Sequence, residues 1–203
     1  MEIKKTMELV VKLSIDRASQ VLSKTLRTGS KIEIEKIHMV DISQITETRL
    51  GSMYDQQGDM IGNLITLEGD IHCKFLFIIK VRNALAFTDL MLRKPQGTTK
   101  ELNIYTESAI QEIGNILSSS IANTFSKDFD VNIWPSTPTM LHDFRSTIFS
   151  TFIIEGAESV EDVIWLIETK FFVVKMQIEC EMFLIPSSKN LGDLQKILSK
   201  ENV

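Results

Sequence analysis

The sequence predicts an α+β fold: two pseudo-symmetric repeats sharing a continuous, mostly antiparallel sheet, with long helices packed outside it. Three observations carry this prediction. Each half begins with a long segment whose apolar residues recur at helical spacing. Much of the remainder is apolar runs separated by turn residues, an order that favours antiparallel pairing. The second half also echoes the first at a nearly constant offset, as a duplicated domain would.

The first segment, MEIKKTMELVVKLSID, is amphipathic and charged throughout. It reads as a helix and lacks the uninterrupted apolar core of a signal peptide. KIEIEKIHMV (31–40) alternates apolar and polar residues, the mark of a half-buried strand. NLITLEGDIHCKFLFIIK reads as two strands about the turn Glu68-Gly69-Asp70, and the segment to residue 92 as a short polar turn and a helix. RKPQGTTKELN (93–103) is the best linker, which divides the chain into halves of about 1–98 and 99–203 within a single domain. ESAIQEIGNILSSSIANTFSKDF reads as the second long helix. STFIIEG, VIWLIETKFFVVKMQIEC and EMFLIP read as strands, and the end of the chain as a helix.

The echo is most visible between 71–92 and 178–199. There Ile71, Cys73, Ile78 and Asn83 recur as Ile178, Cys180, Ile185 and Asn190, 107 positions on. Upstream, Ser23-Lys24 recurs as Ser126-Lys127, 103 positions on. On that register Met7, Val10, Ala18 and Leu22 take the places of Ile110, Ile113, Ile121 and Phe125.

Composition excludes several functions. The 203 residues are 43% hydrophobic and 24% charged, with a formal net charge of −5. Lys and Arg are scattered, so nothing suggests nucleic-acid binding. No apolar run approaches the roughly 18 residues of a membrane span. Cys73 and Cys180 form neither a zinc pattern nor a disulfide framework, which favours a reduced, cytoplasmic setting. His38, His72 and His142 lack metal-ligand spacing, no metal site or cofactor of the chain's own is expected, and no nucleophile–base pair is evident. Asp128 and Asp130 read as a solvated turn after the helix.

The candidate site lies on the second long helix. At roughly 100° per residue, Ile110, Ile113, Leu117 and Ile121 share one stripe, and Ser108, Glu112, Asn115 and Ser119 the opposite face. A carboxylate and an amide three residues apart therefore project together. Gly114, Ser118 and Ala122 are expected to make the surface beside them shallow. Ser108 fits helix N-cap duty with Gln111 as its capping-box partner. Pro138, in a turn-like segment after Trp134, is expected to shape a loop beside the helix.

The longer pattern Ser-x3-Glu-x2-Asn-x22-Pro, from Ser108 to Pro138, resembles the signature of the CheC, CheX and FliY family of chemotaxis phosphatases. The flanking ESAIQEIGNILSSSIANTFSKDF resembles the family's second active-site helix, and ECEMFLIPSSKNLGDLQKIL its closing strand and helix. The resemblance implies a phosphatase acting on the aspartyl phosphate of a CheY-type response regulator. Asn115 would orient the attacking water and Glu112 would pair with the regulator's lysine. Mg²⁺ would come from the regulator. It also implies CheD as a possible partner and, as the alternative function, a weakly catalytic adaptor binding CheD or phosphorylated regulator. A flagellar-switch component related to FliY is a third reading. The first half departs from the pattern: Leu9 stands for Glu112 and Lys12 for Asn115, so one active site in the second half is expected.

Overall fold

The computed structural model describes residues 2–27, 29–41, 58–157, 163–173 and 176–187. Helix α1 (Glu2–Leu26) leads into strand β1 (Ser30–Asp41). Strands β2 (Asp59–Gly69) and β3 (Cys73–Lys80) are followed by α2 (Val81–Met91). The second half runs α3 (Ile104–Phe129), β4 (Ile133–Pro135), β5 (Thr139–Phe144), α4 (Arg145–Gly156), β6 (Val163–Val173) and β7 (Met176–Pro186). The seven strands form one sheet in the order β1-β6-β7-β3-β2-β4, with β5 also on β2, and every pairing among them is antiparallel.

That order is palindromic. β3 and β7, the strands of Cys73 and Cys180, are central neighbours with Leu76 opposite Phe183. These two residues are 107 positions apart, so a two-fold axis through the pair exchanges the halves. β1 then corresponds to β4 and β5 together, each lying against the outer strand of the other pair.

The pleat divides the core. Cys73, Phe75, Phe77 and Ile79 of β3 lie in the larger cluster, with α1, α2 and α3. Leu76 and Ile78 face the other way, with Ile148, Phe149 and Phe152 of α4 and with Phe183 and Ile185 of β7. Burial on both faces explains why CKFLFIIK is a continuous apolar run and not an alternating one. Each buried phenylalanine contributes about 1.5–3 kcal/mol.

Two expectations change. STFIIEG is helical: it forms the second half of α4, where Ile148, Phe149 and Phe152 cover the sheet's second face. Its β-branched and aromatic content favours a strand, and tertiary packing overrides that preference. The polar turn between β3 and α2 is absent, because Lys80 ends the strand and caps the helix directly. The expected closing helix lies outside the described residues.

Two contacts fix the long helices. Between α1 and α3, Arg17 donates to Thr124 Oγ1 at 2.7 Å and to Asp128 Oδ1 at 2.9 Å. Asp128 is thus an ion-pair partner inside α3 and not part of a solvated turn, while Asp130 is the left-handed C-cap. Between α2 and α3, the linker folds over the buried Asp89. Its carboxylate accepts from the Thr99 hydroxyl at 2.6 Å and from the backbone N–H groups of Thr98 and Thr99 at 2.9 and 2.8 Å.

Burial opposes the Asp89 charge, yet the donors from Thr99, Thr98 and Gly97 together hold its carboxyl below the usual carboxylate range. A depressed folded-state pKa stabilises the fold fully above the unfolded value of about 3.9, and that contribution disappears as pH falls below it. Asp89→Asn should therefore lower Tm at pH 7 by roughly 3–8 °C. In thermal melts from pH 7 to pH 2, the gap between the two proteins should close below about pH 4.

Candidate functional site

Helix α3 is the element on which the sequence places its site, and its start is set by Asn103. The Asn103 side chain accepts from the N–H groups of Tyr105 at 2.9 Å and Thr106 at 3.2 Å, two of the donors a helix N-terminus leaves unpaired. Glu107 adds a negative charge in the first turn. Ser108 is therefore not the N-cap: it lies more than a turn inside the helix and is exposed. The capping-box reading failed because Asn103 caps without a Glu or Gln three residues on, and Ser-x-x-Gln happens to recur inside the helix.

The outward stripe is where the periodicity puts it. From Ser108 to Asn123, the exposed residues are Ser108, Glu112, Asn115 and Asn123, all on one side. Glu112 and Asn115 are separated by about 4.5 Å along the axis. Neither side chain is engaged by another described residue, so both are available to a partner. The stripe extends at its N-terminal end to Tyr105, 59% exposed, beside Ile104 at 71%. Lys94 Nζ sits 5.9 Å from the Tyr105 ring centroid, a cation–π distance. The sequence reading passed over both apolar residues, although Tyr105, Ser108 and Glu112 follow the same i, i+3, i+7 spacing.

The rest of α3 is buried more widely than its apolar residues suggest. Gly114, Ser118 and Ala122 are buried and do not form a shallow outer surface. The hydroxyls of Ser120 and Thr124 bond to carbonyls one turn back, at 2.6 and 2.8 Å, so these polar residues are accommodated in the core. Gly114 answers an internal demand: a Cβ there would lie 2.6 Å from Asn63 Nδ2 of β2.

Pro138 is buried between β4 and β5. Across from it, Leu67 pairs with Pro135 and Leu64 with Thr139, so three residues oppose two and the edge is bulged. A proline, with no N–H to give to a ladder, suits that position. In the first half, β1 has its own register shift between Ile34 and Lys36, skipping Glu35, which is Pro138's counterpart at the offset of 103.

On α1, the positions matching Glu112 and Asn115 are Leu9 and Lys12. Both are exposed, so the first half presents the same face with different chemistry. Neither cysteine offers a nucleophile: both are buried, and burial pushes the Cys73 thiol pKa up. Among the described residues, no helix is long and apolar enough to cross a membrane.

Comparison with known proteins follows the same lines. Residues 106–142, which carry Glu112, Asn115 and Pro138, match the model of the CheC-like family. The chain is 25% identical over 126 residues to the CheY-P phosphatase CheC of Bacillus subtilis (strain 168), a match spanning 60% of each protein. The whole fold is similar to the crystal structure of Thermotoga maritima FliY, with a TM-score of 0.78, 15% identity and coverage of 99% of this chain and 98% of that one. It is also similar to FliM in the H. pylori FliM–SpeE complex, with a TM-score of 0.67, 9% identity and coverage of 100% of this chain and 96% of that one.

The capping geometry makes a direct prediction. Asn103→Ala should destabilise the protein by about 1 kcal/mol. Ser108→Ala should stay within about 0.5 kcal/mol of the parent. Urea denaturation of the two variants checks both.

Proposed function

We propose that the chain, which the family match and the CheC relative support as a CheC-like family member, hydrolyses the aspartyl phosphate of a CheY-type response regulator. The observation that carries this reading is the pair Glu112 and Asn115, exposed, unengaged and three residues apart on a helix anchored at both ends. Phosphoryl transfer depends mainly on positioning and on charge stabilisation. An amide can accept from a water and donate to a phosphoryl oxygen, and it brings no charge to repel an anion. Asn115 holds the water in line with the scissile bond. The water oxygen bonds to phosphorus, the bond to the aspartyl oxygen breaks, the carboxylate leaves as the anion, and inorganic phosphate keeps both water protons. Glu112 pairs with a lysine of the regulator and registers the two proteins. Mg²⁺ belongs to the regulator's phosphorylation site and supplies charge neutralisation there.

An adaptor role is the second reading. Its support is the first helix, whose equivalent face carries Leu9, 47% exposed, and Lys12. That face suits protein contact, with CheD as one candidate partner, but does not suit water positioning.

Phosphate loss from the phosphorylated regulator, followed with and without this protein, separates the readings. Asn115→Ala should lower stimulated turnover by roughly a hundredfold or more without loss of Tm. Glu112→Ala should weaken regulator binding as well as turnover. Lys12→Ala should leave turnover unchanged. Wild-type turnover from a folded Asn115→Ala protein would sink the mechanism.

A further inference from the structure

Asn63 is a buried polar residue that the proposed site has not used. It stands in β2 beneath α3, with no solvent exposure. Its Nδ2 donates to the carbonyl of Ile110 at 2.5 Å, and its Oδ1 is buried without a partner. Ile110 is two residues before Glu112. Ile110's carbonyl is also the acceptor for the Gly114 N–H in a regular helix, so the helix does not need a second donor there. An orphaned buried oxygen in the otherwise apolar buried stretch 60–65 is costly and calls for a compensating reason.

The second half of the contact is Gly114. A Cβ at that position would meet Asn63 Nδ2 at 2.6 Å and its Cβ and Cγ at 3.2 Å. Glycine is a poor residue for a helix interior, costing stability relative to alanine. Here it opens a notch through which the amide reaches the helix backbone. The notch lies between Glu112 and Asn115 in sequence, on the inner side of the same turn. The first repeat has no such notch: its counterpart of Gly114 is the buried Val11.

We propose that Asn63 is a positioning residue, which through the Gly114 notch sets the depth and rotation of α3 and thereby the placement of Glu112 and Asn115 on the regulator. This rests on the phosphatase reading above. It assigns Asn63 no contact with substrate.

Asn63→Leu is nearly isosteric and removes both the bond to α3 and the orphaned oxygen. It should move Tm by only about a few degrees, because relief of the orphaned oxygen is opposed by the lost bond and by the room a methyl needs beside the Ile110 carbonyl. It should lower kcat for stimulated dephosphorylation about tenfold to a hundredfold at an unchanged KM for the regulator, the scale of loss from a misplaced catalytic group. A residue serving stability alone would not separate Tm from kcat in this way. Gly114→Ala should also lower kcat, and it should cost less stability in an Asn63→Ala background than in the parent, because the 2.6 Å clash with the amide is gone and only the Cβ contact at 3.2 Å remains. Wild-type kcat in Asn63→Leu, or additive stability losses in the Asn63/Gly114 cycle, would overturn the proposal. Asn115→Ala, assayed alongside, reports on the phosphatase reading itself. If Asn115→Ala is inactive while Asn63→Leu keeps full kcat, the positioning role alone is wrong. If the parent chain does not stimulate dephosphorylation, the functional reading falls and the catalytic part of the proposal falls with it, while the stability cycle still decides whether the notch exists for the amide.

Discussion

The pairing of β3 with β7 is the constraint on which the rest of the molecule depends. It joins the two halves through backbone hydrogen bonds at the centre of the sheet, with Leu76 opposite Phe183. Residues 75–79 of β3 and 182–185 of β7 are buried and alternate between the two faces, so a polar or undersized residue there loses packing or leaves an unpaired group. Once the seam is set, the outer strands follow in mirrored order, and α1 and α3 lie against one another on the same face. Arg17, bridging to Thr124 and Asp128, ties α1 to the C-terminal end of α3. The exposed stripe of α3 is therefore held by a rigid scaffold and does not depend on a loop.

The two halves are alike in scaffold more than in surface. At the offset of 103 the inward stripe of α1 falls on buried positions of α3, Met7 on Ile110, Val10 on Ile113 and Leu22 on Phe125, while α3 is buried more widely, with Thr124 covered where α1 has the exposed Val21. The bulge at Glu35 and the break at Pro138 also correspond. The exposed positions differ in chemistry, with Leu9 and Lys12 where α3 has Glu112 and Asn115. So does one interior position, Val11 against Gly114. Divergence at exposed sites costs little stability, whereas the exchange of valine for glycine changes what can lie beneath the helix. Among the described residues, the amide in contact with that opening is Asn63, on the α3 side.

How much was legible in the sequence depends on the range of the physics involved. Helical periodicity is local, so the outward placement of Glu112 and Asn115 could be read from spacing alone. The antiparallel sheet and its internal echo were legible for the same reason. Features governed by distant partners were not. Gly114 is explained by Asn63, fifty-one positions away, and Pro138 by the register of β4 and β5 on β2. The segment STFIIEG has strand-like composition, and its helix is decided by the face of the sheet it covers. Ser118 and Ala122 were misplaced because small residues give no signal of burial; the sheet and two neighbouring helices cover more of α3 than its apolar stripe suggests. The Asn103 cap was within reach of local reasoning and was missed because a competing Ser-x-x-Gln lies one turn further on.

A helix face that presents an amide and a carboxylate three residues apart is a small instrument for phosphate chemistry, and that is consistent with a substrate that is itself a folded protein. On the proposed reading, the regulator supplies the electrostatic part, a lysine and a cation already set around its phosphoryl group. What remains is a water with fixed orientation, whose contribution is entropic and depends on how little the amide moves. An asparagine on a long exposed loop would give away much of that advantage. Asn115 instead sits eleven residues past the first residue of a helix that is capped by Asn103, clamped by Arg17 and tied to the sheet through Asn63. Each restraint acts on a different part of α3, its N-terminus, its C-terminal half and its underside. Together they oppose the sliding, tilting and rolling that would carry the amide away from the phosphorus.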